Sequence, residues 1–442
     1  MNDAAMSSLY AEHLATLKQR SDAALAKAGF DHLVIASGVE KYQFLDDRPY
    51  PFKPNPHFKH WVPLQHHPHS WIAYTPGAKP VLVYFQPDDY WHVPPAPPEG
   101  FWVEHFDIRI IREPHEAAAH LPKGKAAIIG EPDAALEGSA QGNVIPNNPR
   151  PLIDALHYQR GYKTAYELDR MRRAQRKAVK GHRAAEAAFR GGASELEIHR
   201  AYLEATGHGD LDLPYTNIIG LNAHAAVLHY QYQSPERPSK SLSFLIDAGA
   251  EVDGYAADIT RTYAMHDGEF ADLIAAVDDE QQALCGMVRD GADYRDLHLE
   301  CHLRLGGVLR TAGIVDMDPG AMVAEGVTRT FFPHGLGHPI GLQVHDVGGR
   351  HDAEGNEIPR PAGHPYLRNT RTLGPGMVVT IEPGIYFIPT LLAKLKAGPH
   401  ARAVDWDKVE ALTPYGGIRI EDDVVCTEGA PENLTREAFG AA

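Results

Sequence analysis

Apolar residues recur at helical spacing near the start of the chain, at Leu9, Leu14, Leu17, Ala24 and Leu25, and predict a helix over 8–29 that stops at Gly29. Short apolar runs at 32–36, 71–74, 80–85 and 126–130 read as strands. The stretch from Asp46 to Trp61 is rich in proline and aromatic residues, and 93–100 and 146–151, rich in proline, read as loops. The first 155 or so residues therefore form a mixed α/β unit with few groups able to do chemistry.

A second pattern begins near Lys163. Thr164 is placed to cap a long helix running to about Arg190, with Glu167 completing a capping box. Helical spacing returns at 194–206, 269–290 and 294–312, after which the chain turns to short strands bearing acidic and histidine residues. At 442 residues the chain is too long for one typical core. Two domains are expected, 1–160 and 161–442, with the chemistry in the second.

Composition narrows the partners. No segment offers the long uncharged apolar run of a membrane span, and the first residues lack the basic start and apolar core of a secretory signal. A net charge of −16 argues against nucleic acid or an anionic membrane and is compatible with bound cations. The three cysteines, Cys285, Cys301 and Cys426, form no CxxC pair, which fits a reducing cytoplasm and excludes a disulfide framework or thiolate zinc site. The 26 histidines direct attention to where they cluster.

Four motifs carry candidate chemistry. Residues 244–249 (FLIDAG) and 253–262 (DGYAADITRT) flank an Asp-Gly turn signal and predict a hairpin. With the turn centred near 252–253, Asp247 pairs with Asp258; one residue later, the two become diagonal neighbours on one face. Two carboxylates so close repel unless a cation lies between them. Next come His334, His338 and His345, set among glycines that allow close backbone approach. A third motif ends an apolar strand in Glu382, before Pro383-Gly384. In the fourth, period-two alternation puts Arg419 and Glu421 on one face. Taken singly, the Asp247–Asp258 pair reads equally well as solvated acids and Arg419–Glu421 better as a solvated polar face, while three histidines within twelve residues are less easily dismissed. Together they offer four carboxylates and one imidazole from four separate strands. Two divalent cations would balance the carboxylates, and oxygen ligands with one nitrogen favour Mn²⁺, with Co²⁺, Zn²⁺, Mg²⁺ and Fe²⁺ also suited.

The ordered set Asp247, Asp258, His338, Glu382 and Glu421, each in its own motif, resembles the proline-specific metallopeptidases related to methionine aminopeptidase. Within them the chain is similar to the bacterial Xaa-Pro dipeptidases, a subgroup that includes organophosphorus acid anhydrolases. The similarity extends to residues 44–47 (FLDD), 50–53 (YPFK) and Trp91. It implies an α/β (α+β) chain with a creatinase-like N-terminal domain, a pita-bread catalytic domain and a homodimer. It further implies that Asp247 binds one metal, that Asp258 and Glu421 bridge both, and that His338 and Glu382 complete the second site. His229, His334 and His345 match histidines of the substrate site, and Arg419 matches the arginine beside the bridging glutamate. Arg368 resembles the arginine that receives the substrate's free carboxylate. Tyr215, Tyr294 and Leu367 correspond to pocket walls, and Asp47 and Trp91 to residues lent by a partner subunit. Asp422 and Asp423 stand where many relatives carry one acid and compete with Glu421 in a loose alignment. The polar stretch 349–366 is expected to be a mobile loop.

The implied reaction is hydrolysis of dipeptides ending in proline by a metal-bridging hydroxide, with Glu382 moving the proton and His229 and His345 steadying the oxyanion or leaving group. Phosphotriester hydrolysis would be a side activity. The rival readings are an aminopeptidase acting on longer Xaa-Pro peptides and a non-catalytic binding protein that reuses the fold.

Overall fold

The computed structural model describes residues 3–139, 142–209 and 211–441. No helix among them is long and apolar enough to cross a membrane. The chain divides into two compact units, Met1–Arg170 with Ala353–Asn356, and Met171–Asp352 with Glu357–Ala442.

The N-terminal unit opens with α1 (Asp3–Ala28), which begins five residues before the predicted start. It ends at Gly29, whose φ of 71° lies in the left-handed region that favours glycine. Strands β1 (His32–Ala36), β2 (Trp71–Tyr74), β3 (Val81–Phe85), β4 (Asp107–Ile111) and β5 (Ala126–Ile129) form one sheet in the order β4-β3-β2-β1-β5. The inner pairings β1–β2 and β2–β3 are antiparallel, while β4 and β5 join the two edges in parallel. Val34, Trp71, Val83 and Ile111 share a core with Ala117 and Leu121. A short hairpin, β6 (Leu136–Ser139) and β7 (Gly142–Val144), follows, and helices α2 (Pro56–Trp61) and α3 (Arg150–Arg160) complete the unit.

Helix α4 (Ala165–Arg190) starts as predicted. The Thr164 N–H donates to Glu167 Oε2 at 2.8 Å and the Glu167 N–H to Thr164 Oγ1 at 3.4 Å. In the C-terminal unit α5 (Glu195–Thr206) begins with its own capping box, Ser194 with Glu197. Strands β8 (Ile218–Leu221), β9 (Ser243–Asp247) and β12 (Thr260–Ala264) form an antiparallel sheet in the order β12-β9-β8. Phe189 and Tyr202 pack against its Ile219, Phe244 and Ile246. An inner hairpin, β10 (Glu251–Val252) and β11 (Tyr255–Ala256), turns at Asp253 and Gly254, both left-handed at φ 51° and 88°. Helix α6 (Glu269–Cys285) stops five residues short of the predicted end, where the bonding tightens to i→i−3 turns from Met287 to Leu284 and from Val288 to Cys285. Then come α7 (Tyr294–Thr311), α8 (Pro319–Ala324) and α9 (Thr328–Phe331). Two antiparallel pairs close the site: β13 (Val378–Ile381) with β16 (Asp422–Val425), and β14 (Gly384–Tyr386) with β15 (Gly417–Arg419).

Several histidines are buried without charge. Burial pushes His13 down to about 4 and His182 and His302 to about 3, and all three side chains are essentially inaccessible. Each is neutral in the folded chain and takes up a proton on unfolding below its ordinary range. Their contribution is therefore complete above about pH 6.5 and is lost as pH falls toward 4, with a slope of about 1.4 kcal/mol per pH unit for each proton. The urea midpoint should fall between roughly pH 7 and pH 5. An unchanged midpoint would mean these imidazoles are already protonated in the fold.

Candidate metal centre

Strand register brings the acids together. Asp247, at the end of β9, pairs with Thr260, so Asp258 is its diagonal neighbour and the turn is the later of the two predicted. Glu421 stands opposite Thr260 in an isolated bridge, its N–H donating to Thr260 O at 3.1 Å. Glu382 follows β13 directly, its N–H donating to Leu336 O at 2.8 Å. The expectation of four strands holds only in part: Asp247 lies within a strand, Asp258, Glu382 and Glu421 flank strand ends, and His338 lies in the loop after α9. It is pinned to β13 by hydrogen bonds from its N–H to Thr380 Oγ1 (3.0 Å) and from the Thr380 N–H to its carbonyl (2.9 Å). The approach is close enough that a Cβ at Gly337 would overlap Thr380 O and Tyr294 Oη, so only glycine fits.

One ligand atom each from Asp258, His338 and Glu421 falls within a 4.8 Å cluster. His338 Nε2 lies 3.5 Å from Asp258 Oδ2 and 3.8 Å from Glu382 Oε1. Its Nδ1 lies 3.0 Å from Pro339 O, so Nδ1–H donates to that carbonyl and Nε2 faces the carboxylates; burial would lower this imidazole, but the hydrogen bond to Asp258 and the charges of Glu382 and Asp258 outweigh it and raise it. A metal ion in place of the Nε2 proton would find Nδ1 already anchored, as a metal-binding imidazole needs. Asp247 Oδ1 is buried and has no hydrogen-bond partner.

Electrostatics point the same way. Burial, then the neighbouring carboxylates, lift Glu421 well above the usual range. Burial raises Glu382 to about 7 against the opposing charges of His338 and Arg419, and raises Asp247 against Arg419. Burial would raise Asp258 too, but the hydrogen bond and charge of His338 outweigh it and hold this acid low. The pocket holds more negative charge than its surroundings neutralise, and divalent cations would supply the balance. The donor set fits two such ions.

The surrounding side chains fix the acids. Arg419, only 4% exposed, is no solvated polar residue. It donates to Asp247 Oδ2 (2.7 Å), Thr260 Oγ1 (3.2 Å) and Tyr386 Oη (3.0 Å). Thr260 Oγ1 donates to Glu421 Oε2 at 2.7 Å, and Tyr215 Oη to Asp258 Oδ1 at 2.6 Å. The competing acids are engaged elsewhere. Asp422 pairs with Arg261 and Arg436, both at 2.7 Å. Asp423 accepts from Gln175 and, at 3.1 Å, from the backbone N–H of Asp258.

A cavity of about 540 Å³ opens over these groups, and His229, His334, His345, Arg368 and Arg419 line it with the five candidate ligands. The His345 ring stands edge-on to His338 at 4.4 Å. Burial pushes His334 and His345 down to about 3, leaving both neutral. Tyr215, Tyr294 and Leu367 are not among the lining residues. Tyr215 stands against Asp258, Tyr294 donates to Thr380 O at 2.7 Å, and Leu367 is fully buried beside a neighbouring cavity. Asp47 and Trp91 belong to the N-terminal unit, where both are exposed. The stretch 349–366, expected as a mobile loop, contains a bridged turn, with His351 opposite Glu357 and the Ile358 N–H donating to Arg350 O at 2.8 Å. Thr260, Thr380 and Tyr386 were not singled out in the sequence. Thr260 had a usable signal, standing two residues after Asp258 on the same face; Tyr386 had none.

Residues 8–158 match the profile of the Xaa-Pro dipeptidase N-terminal domain, and residues 169–428 that of metallopeptidase family M24. The chain is 56% identical to the Xaa-Pro dipeptidase of Stenotrophomonas maltophilia strain K279a, over 98% of each chain. It is also 56% identical to that of Xanthomonas euvesicatoria pv. vesicatoria, over 100% of each. Among solved structures, Escherichia coli aminopeptidase P in complex with substrate superimposes with a TM-score of 0.71 over 95% of each chain at 24% identity, a likeness of fold.

Proposed function

The chain belongs to metallopeptidase family M24, with the pita-bread peptidase domain and the Xaa-Pro dipeptidase N-terminal domain, and from this premise we infer that it hydrolyses dipeptides ending in proline through a dinuclear metal site. The observation that carries this reading beyond kinship is the orientation of His338, whose Nδ1 is held by Pro339 O while Nε2 faces the buried carboxylates.

The bond before proline has no N–H on its nitrogen, and the ring fixes φ, so enzymes that grip an extended backbone handle it poorly. Here Asp247, Asp258, His338, Glu382 and Glu421 would hold two divalent ions, which supply a water of lowered pKa. His229 donates to the scissile carbonyl oxygen as it gains charge, and His345 steadies the tetrahedral centre or the departing nitrogen. Glu382 carries the proton from the attacking water to that nitrogen. Arg419 acts through Asp247, and Tyr386 joins it to His334 at 3.0 and 2.8 Å. Arg368 is exposed on the cavity wall and has no acidic partner among the described residues, leaving it free to receive the substrate carboxylate. Tyr215, Tyr294 and Leu367 shape the wall from behind.

We take Mn²⁺ as the working metal, on the oxygen-rich donor set. The three cysteines are free and buried, as suits a reducing cytoplasm. The N-terminal unit, taken as residues 1–160, is the dimerisation element of a homodimer and lends Asp47 and Trp91 to a partner's pocket. It exposes Phe44, Leu45, Tyr90, Trp91 and Val93, the apolar surface such an interface would cover. Phosphotriester hydrolysis is a side activity of the same site.

Metal-stripped protein should hydrolyse Leu-Pro only after Mn²⁺ is added back. Folded protein that stays inactive with every divalent ion would mean that the substrate is a different one or that the chain only binds. Leu-Pro should be cleaved far better than a tripeptide beginning Leu-Pro, and the opposite order would make the chain an aminopeptidase. Replacing Arg368 with alanine should raise KM for Leu-Pro about ten- to hundredfold and erase that preference, the loss of a hydrogen-bonded ion pair. A variant that still prefers dipeptides would remove Arg368 from carboxylate recognition.

A further inference from the structure

A second cavity, of about 210 Å³, adjoins the catalytic one and shares Pro333, His334, Tyr366 and Leu391 with it. Its polar lining is of one kind. His298, His302, His364 and Arg329 face it, and none of its lining residues is an aspartate or glutamate, in a chain whose net charge is −16. None of the reactions described above uses these four residues.

Three histidines with nitrogens inside a 4.8 Å cluster would suit a metal at first sight. Proton placement opposes it. The Leu336 N–H donates to His298 Nδ1 at 3.2 Å, so the proton of that neutral ring is on Nε2. His298 Nε2 lies 2.8 Å from His364 Nδ1 and donates to it, which puts the His364 proton on its own Nε2. A cation at His298 Nε2 would force a proton onto Nδ1, against the Leu336 N–H. The Arg329 guanidinium adds a positive charge beside the same rings.

The donors, by contrast, are in place. Arg329 has no acidic partner among the described residues. Its guanidinium lies where a Cβ at either Gly326 or Gly363 would overlap it, and both glycines are left-handed, at φ 75° and 80°. His302 is fully buried, with Nδ1 2.9 Å from Thr328 Oγ1 and an Nε2 that has no hydrogen-bond partner. The Thr328 hydroxyl can donate to Nδ1, and in that tautomer His302 presents Nε2–H to the cavity. A buried imidazole nitrogen without a partner, a second imidazole that carries its proton on Nε2, and a guanidinium without an acidic partner among the described residues line one small cavity.

We propose that this cavity is a subsite for a small oxyanion, a carboxylate or phosphate, held by the Arg329 guanidinium and the Nε2–H groups of His302 and His364. The anion comes either from the free carboxylate of a reaction product, through the shared wall, or from inorganic phosphate in solution. Crystals of the metal-loaded protein soaked in selenate should show an anomalous peak beside Arg329, absent in Arg329→Gln. Calorimetric binding of inorganic phosphate at this site should weaken about ten- to hundredfold in Arg329→Gln and in His364→Gln. Arg329→Gln should keep its Leu-Pro turnover in phosphate-free buffer, which shows that the fold and metal centre are intact. Displacement of selenate by proline would identify the product as the source; displacement by phosphate alone would identify the free anion. The proposal is overturned if the cavity holds only water in selenate, if Arg329→Gln binds phosphate like the parent, or if added Zn²⁺ takes up the three histidines instead.

Discussion

Exchanging Glu382 for alanine should lower kcat on Leu-Pro by about 10²–10⁴, the range for losing a positioned proton carrier. The carboxylate stands at the end of β13, with Oε1 3.8 Å from His338 Nε2 and its backbone N–H fixed on Leu336 O. Because it is also a candidate ligand, metal content must be measured on the same sample. A variant that retains both metals and full turnover would rule out the proton-carrying role. Loss of one metal along with activity would assign the effect to ligation.

Arg419→Met carries the second large effect, on stability. The guanidinium is buried and donates to Asp247 Oδ2 at 2.7 Å. Methionine fills much of the space but leaves Asp247 among other acids without its cation. Breaking a buried pair in this way costs about 3–5 kcal/mol. The cost should be greatest in metal-free protein, because bound divalent ions would also neutralise Asp247. Urea midpoints of the variant, metal-free and Mn²⁺-loaded, test this: the gap from the parent should narrow on loading. An equal gap in both states would mean that Arg419 acts through packing alone.

What could be read from the sequence followed distance along the chain. The β9–β12 hairpin was legible because Asp253-Gly254 is a local signal for a left-handed turn, and the turn fixes which residues face each other. Its exact centre was left open by one residue, since Asp-Gly does not say how many neighbours join the turn. The helix from Thr164 was legible through its capping box, whereas α6 was read too long because the tightening of its last turn, from Met287 and Val288 to carbonyls three residues back, leaves no mark in the sequence. Asp422 and Asp423 could not be separated from Glu421 by sequence. Arg436 lies only 14 residues from Asp422, but Arg261 and Gln175, which complete the engagement of the two acids, lie 161 and 248 residues away. Tyr386 was invisible for the same reason, since it gains its role only when β14 pairs with β15 and meets Arg419.

The hairpin between Asp247 and Asp258 also sets how this chain can change over time. Its two ends are tied to different partners: Asp247 to Arg419, and Asp258 to Tyr215 and, through its backbone, to Asp423. A single residue inserted at Asp253-Gly254 would turn the returning strand over and point one carboxylate away from the other. Surface loops elsewhere can lengthen at small cost, but this one works as a ruler. Descendants of this sequence should therefore vary freely in the residues of the turn that tolerate a left-handed backbone, while its length stays constant.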